Sequence, residues 1–231
     1  PDYSSAASDV YKRQVIYSQE EAKYNVPTGF FEIGLGMCIP TMMAWATKEQ
    51  NERYVQPALY GEEVWCQLFS EPSAGSDVAG VRTKAEKDGD DWIINGQKVW
   101  TSGAHFSDYG IIVVRTDPSV AKHKGLSFFF LDMRLEGIEV KPIKQISGGS
   151  NFNEVFFTDV RVPDSQRLGD VGQGWKVALT TLMNERLAIG VPKSADYNSL
   201  TRAAKEVDLH DQPAIKNDPV SYTHLRAHET S

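Results

Sequence analysis

Between Val64 and Val162 the chain passes through seven short β-rich runs separated by turn residues, and on both sides of that block its apolar residues return at helical spacing. Helices, then strands, then helix is not the strand–helix alternation of a doubly wound parallel sheet. The runs are Val64 to Phe69, Val81 to Lys87, Trp92 to Thr101, Gly110 to Arg115, Leu126 to Asp132, Ile138 to Pro142 and Val155 to Val162. Asp88-Gly89-Asp90 between two of them predicts a tight hairpin, because Asp-Gly tolerates positive φ. The expected fold class is therefore α+β, with a barrel-like or sandwich β-domain between helical segments. Gly34-Leu35-Gly36 lacks the third glycine of a dinucleotide fingerprint and reads as close helix packing.

The helical stretch before the strands runs from about Val15 to Leu59, with Thr47-Lys48-Glu49-Gln50 as a capping box and Pro57 ending its last helix. Helical periodicity resumes after Gly172-Gln173-Gly174. At roughly 100° per residue, Trp175, Ala178, Leu179, Leu182 and Ile189 share one face, and Glu185 and Arg186 fall within it. Charges on an apolar stripe need partners or a ligand cleft, since an unpaired buried ion costs several kcal/mol, on the order of 3–5. The two ends, 1–14 and 220–231, lack this patterning and resemble translated sequencing-adapter scars, so they are set aside from fold reasoning. His224 and His228 in the second have an i, i+4 metal-ligand spacing, but no metal is expected there.

At 231 residues the chain has room for a sizeable core. Its 24 basic and 31 acidic side chains leave a net charge of −7, which argues against nucleic acid as a partner. No apolar run reaches membrane-spanning length. The two cysteines, Cys38 and Cys66, have neither zinc nor disulfide spacing and read as reduced packing residues, which fits a cytoplasmic protein; a bacterial source is expected as well.

The strand ending near Phe69 opens into Ser70-Glu71-Pro72-Ser73-Ala74-Gly75-Ser76-Asp77, small and hydroxylated residues beside two carboxylates. Alone, such a loop reads first as an ordinary solvated turn and only second as a ligand site. It is followed in order by Asn95-Gly96-Gln97-Lys98-Val99-Trp100-Thr101-Ser102, by Asn153-Glu154-Val155-Phe156-Phe157 through Asp159-Val160-Arg161-Val162-Pro163, by Gly172-Gln173-Gly174-Trp175, and by Asn184-Glu185-Arg186. Together these motifs resemble the acyl-CoA dehydrogenase family over about Val15 to Pro219.

The resemblance implies a flavoprotein of three parts, of which this chain would hold a partial N-terminal helical domain (15–62), the middle β-domain (63–170) and the start of a C-terminal four-helix bundle (171–219). It implies FAD as cofactor, with Gln67, Leu68, Phe69, Ser70 and Ser76 contributing from the first loop, Phe69 and Ser70 closest to the ring, and Trp100, Thr101 and Ser102 from the second. It implies an acyl-CoA substrate near Ser76, His123, Asn184, Glu185 and Arg186, and an electron-transferring flavoprotein as partner to a homodimer or homotetramer. In most members the catalytic base lies beyond the span of this chain, and in a minority it is the residue at Glu185. The bulky Leu68 and Phe69 and the Trp-Thr-Ser-Gly sequence depart from the commoner pattern while keeping the hydroxyls. The 231 residues alone are expected to bind FAD weakly and to lack turnover. Other readings on these residues are a flavin monooxygenase or nitroalkane oxidase on the same scaffold, and a non-catalytic binding module.

Overall fold

The computed structural model describes Ile16, Glu20, Lys23, Tyr24, residues 28–189, Arg202, Lys205 and Glu206. The suspected scars and His224 and His228 lie outside these residues. Contacts divide the chain into Pro1–Ala188 and Ile189–Ser231. In the second unit Arg202, Lys205 and Glu206 are helical.

All seven β-rich runs form strands: β1 Trp65–Leu68, β2 Lys84–Asp88, β3 Asp91–Ser102, β4 Tyr109–Arg115, β5 Leu126–Asp132, β6 Ile138–Ile143 and β7 Phe152–Pro163. They make one mixed sheet in the order β1-β4-β2-β3-β7-β6, with β5 on the other edge of β4. β1 pairs in parallel with β4, whereas β5 pairs with it antiparallel. β2 touches β4 only at Lys84 opposite Arg115. The sheet therefore splays there and curls into a half-barrel, the barrel-like form expected of the β-domain.

β4 and β5 are buried on both faces, which is why they read as unbroken apolar runs. Ile111, Val113, Phe128 and Phe130 face a core shared with the helices. Ile112, Val114, Phe129 and Leu131 face the interior of the half-barrel with Trp92, Ile94, Val155 and Val162. Each such side chain contributes about 1.5–3 kcal/mol by leaving water. The hairpin between β2 and β3 pairs Asp88 with Asp91, so Gly89 and Asp90 are its central residues. Of these only Gly89 has positive φ, at 59°.

Helices α1 Ile39–Trp45 and α2 Lys48–Leu59 precede the sheet, and α3 Gly174–Ile189 follows it. The π-helical turn Gly34–Cys38 leads into α1. A Cβ on Gly34 would stand 3.4 Å from Cβ of Trp65, as expected of close packing. Thr47 caps α2 with the reciprocal bonds to Gln50. Pro57 does not end α2, which continues to Leu59. So near the C-terminus the missing N–H and ring clash are absorbed in the last turn.

α3 starts against β5. A Cβ on Gly174 would come within 2.5 Å of the Ser127 backbone, so only glycine allows this approach. The helix then packs on α1 through a buried hydroxyl pair, Thr41 Oγ1 to Thr181 Oγ1 at 2.9 Å, and through Trp45 Nε1 donating to Thr180 Oγ1 at 2.9 Å. Over 174–186, where its side chains are described, the buried residues are Gly174, Val177, Ala178 and Thr181, whereas Leu179 is exposed; Ile189 of the predicted stripe lies outside the described side chains. The stripe is thus rotated from the one predicted because hydroxyls, which carry little apolar weight, pack at its centre. Cys38 and Cys66 are buried, and desolvation pushes the Cys66 thiol up to about 12. Neither is a nucleophile at neutral pH.

Candidate functional site

The loop after β1 is two-sided. Phe69, Glu71 and Ala74 point inward, while Ser73, Gly75, Ser76 and Asp77 are exposed and Ser70 is half-buried. Reciprocal backbone bonds between Glu71 and Ala74, 2.9 and 3.0 Å, close it into a tight turn. Beneath it lies Lys98 of β3, fully buried, whose Nζ donates to the Phe69 carbonyl at 3.0 Å, Glu71 Oε1 at 2.8 Å and the Val113 carbonyl at 2.8 Å. Three acceptors use all three protons of an ammonium. Glu71 also accepts from the backbone N–H groups of Arg82 and Thr83, at 2.6 and 3.0 Å.

Burial lowers the Lys98 ammonium to about 8 against the pull of Glu71. Burial also opposes ionisation of Glu71, yet Lys98 and the surrounding donors hold that carboxyl below its ordinary range. The geometry is that of a charged pair. Neither residue was given a role from the sequence. A lysine reads as solvent-facing by residue type, but Lys98 shares the parity of the buried Trp92 and Ile94; β3 shifts register against β7 between Ile94 and Gly96 and again between Lys98 and Thr101. Alternation itself turns Lys98 inward, because the first shift adds its extra residue to β7 and the second falls after Lys98.

The second irregularity presents the other motif. Trp100 takes positive φ, 59°, and is 59 % exposed, so it is not a core aromatic. Its ring stands edge to face with that of Phe152, with centroids 6.0 Å apart. Thr101 is buried and Ser102 half-buried. Asn153, itself buried, donates to the Thr101 carbonyl at 2.9 Å and bonds the His105 ring at 3.1 Å, which steadies the bulge from β7. The Val99 N–H donates to the Ser70 carbonyl at 2.9 Å, so loop and bulge form one surface.

The helix carboxylate joins this surface. Gln67 Nε2 donates to Glu185 Oε2 at 3.2 Å, tying the end of β1 to α3. Glu185 is half-buried as predicted, but Arg186 is exposed, one step of about 100° round the helix. Asn184 turns back to the Thr180 carbonyl at 2.8 Å. His123 stands apart on the exposed loop 118–124, its ring 4.7 Å from that of Trp175. Ser76 borders that loop through its neighbour Asp77, which pairs with Lys122 at 2.7 Å. Leu68 and Phe69 have buried side chains, in the half-barrel and helix-side cores respectively. Any contact they or Thr101 make with a ligand other than through the Thr101 hydroxyl is confined to backbone.

An open cleft of about 480 Å³ adjoins Ser102, lined by Phe30, Ile33, Trp65, Phe106 and Asn151 among others. At the surface formed by loop and bulge, Gln67 Oε1 and Thr101 Oγ1 are buried without a partner among the described residues. Each such group costs about 1–3 kcal/mol unless a ligand satisfies it. An exposed indole beside hydroxyls, amides and unsatisfied buried polar atoms fits the face and polar edge of an isoalloxazine.

The middle-domain model of the acyl-CoA dehydrogenases matches residues 66–160. Acyl-CoA dehydrogenase FadE34 of Mycobacterium tuberculosis is 48% identical over 76% of this chain and 25% of its own length. Acyl-CoA dehydrogenase IpdE1 of the same organism is 38% identical over 93% of this chain and 57% of its own. The solved structure of the Tcur3481-Tcur3483 steroid ACAD superposes with a TM-score of 0.73 and 32% identity over 86% of this chain and 52% of its own. The chain spans between a quarter and somewhat over half of these relatives. With that domain's fold and these similarities, the chain belongs to the acyl-CoA dehydrogenase family.

Proposed function

We propose that these residues form the flavin-facing part of an FAD-dependent acyl-CoA dehydrogenase, which converts an acyl-CoA thioester to the trans-2-enoyl-CoA. Bound FAD supplies the hydride acceptor. The observation that carries the reading is the bond from Gln67 to Glu185, because it sets a helix carboxylate against the loop whose hydroxyls and amides face outward. Gln67 occupies Glu185 Oε2 and leaves Oε1 to take the α-proton of the thioester, while the β-hydrogen leaves as hydride. Ser70 and Ser102 offer fixed donors at the polar edge of the ring, and Trp100 covers its face. Ser76, Asn184 and Arg186 are assigned to the CoA arm, with His123 at its outer end; the exposed guanidinium of Arg186 suits carbonyls or phosphates.

The cleft beside Ser102 and the similarity to a protein named as a steroid ACAD support a bulky, ring-bearing acyl group over a short straight chain. An electron-transferring flavoprotein as electron acceptor, assembly with further subunits and a cytoplasmic location complete the reading. Among the described residues no helix is long and apolar enough to cross a membrane. The three-part division at residues 62 and 170 is proposed on the same resemblance. The test is Glu185→Gln in a chain extended to the length of its relatives. Anaerobic bleaching of the flavin by acyl-CoA should fall by at least a hundredfold with FAD content unchanged. Undiminished bleaching would remove Glu185 as base; no bleaching even with Glu185 intact would favour an oxygen-using or non-catalytic relative.

A further inference from the structure

The pair Lys98–Glu71 lies directly behind the loop, and its first contact is with backbone. Lys98 Nζ holds the Phe69 carbonyl inward at 3.0 Å. The described residues contain no cis peptide bond, and in a trans unit the N–H points opposite the C=O. The Ser70 N–H is therefore turned outward, and it has no acceptor among the described residues. The Ser70 carbonyl, on the next peptide unit, is held by the Val99 N–H. Both peptide units of Ser70 are thus fixed from β3, one by a charge and one by the strand backbone beside it.

We propose that Lys98 is a positioning residue: together with Glu71 it sets the Phe69–Ser70 peptide so that the Ser70 N–H stands ready as a donor to an anionic ligand edge. The inference rests on reading the Ser70 loop as a flavin wall. A fixed donor costs no reorganisation when negative charge develops on the group it faces. An ammonium behind the same peptide polarises its carbonyl and strengthens the N–H as a donor on the far side.

The test follows the Ser70 amide by NMR hydrogen exchange in the 231-residue chain and in K98M and K98M/E71Q, with and without FAD. The double variant removes the stranded carboxylate and serves if K98M alone fails to fold. In free wild-type chain the Ser70 amide should exchange at the rate of an unprotected amide. In a variant that still melts cooperatively, that amide should gain protection or split into two resonances as the peptide unit turns. With FAD the wild-type amide should slow, and the affinity of the variants should fall at least tenfold. An unchanged Ser70 amide in a folded variant overturns the positioning role, whatever FAD does. A Ser70 amide that answers to the substitution in a chain where FAD moves nothing rejects the flavin reading and leaves the positioning role standing.

Discussion

The loops 70–77 and 117–124 both border the proposed ligand surface, and they are held in opposite ways. The first is anchored from below by a buried ion pair and by the backbone N–H groups of Arg82, Thr83 and Val99, with its exposed residues confined to one side. The second is exposed from Pro118 to Lys124 and is held by a local turn, Asp117 Oδ1 accepting from Ser119, by one bond from the Arg115 guanidinium to the Lys122 carbonyl, and by the Lys122–Asp77 pair at half-exposed side chains. A loop that must offer fixed donors to a ring needs rigid backbone, whereas one that borders a long flexible ligand does not. The difference in anchoring therefore tracks the difference in proposed task.

The largest expected effect lies under the first loop. Lys98→Met leaves Glu71 charged and buried, and should cost about 3–5 kcal/mol in urea unfolding, most of it recovered in K98M/E71Q. A loss under about 1 kcal/mol in the single variant would mean that the pair does not anchor the loop. The pair also gives the comparison a pH signature. Glu71 is held below the ordinary carboxylate value of 4.5, so its contribution is complete above that pH and is lost as the pH falls through the folded value. Wild-type chain should lose stability relative to E71Q on acidification below about 4.5. Parallel acid curves for the two would contradict it.

Trp100 separates ligand binding from stability. Because it is exposed at positive φ, Trp100→Gly should change unfolding free energy by under about 1 kcal/mol, in the stabilising direction if backbone strain dominates. The same change should weaken FAD binding severalfold by titration. Equal damage to folding and binding would make Trp100 a packing residue. The smallest effect belongs to the second loop. Lys122→Ala breaks an exposed pair and should cost at most about 1 kcal/mol, less still in high salt.

Much of the fold was readable because strand burial writes itself into composition: Gly-Ile-Ile-Val-Val and Leu-Ser-Phe-Phe-Phe-Leu admit few other readings once turn residues flank them. The capping box before α2 was equally legible, since its two bonds are local. What failed depends on geometry that a fixed period does not carry. The bulge of β3 between Lys98 and Thr101 reverses the alternation that would have set Trp100 inward, and Lys98, at the parity of Trp92 and Ile94, reads as solvent-facing only by residue type. Likewise the rotation of α3 is set by the hydroxyls of Thr41 and Thr181, which apolar periodicity ignores. The site residues were placed by motif order, and their roles as support or surface emerged only with the register.

The central claim is that the outward side of the Ser70 loop and the Trp100 bulge is a flavin surface. It is tested most directly by titrating FAD into the isotope-labelled 231-residue chain and following backbone amide and indole resonances. The account expects weak but saturable binding, with shifts gathered at Gln67, Ser70, Trp100, Thr101 and Ser102 and the Trp100 indole. Shifts gathered on loop 117–124 instead, or no saturable shift at any FAD concentration, would contradict it.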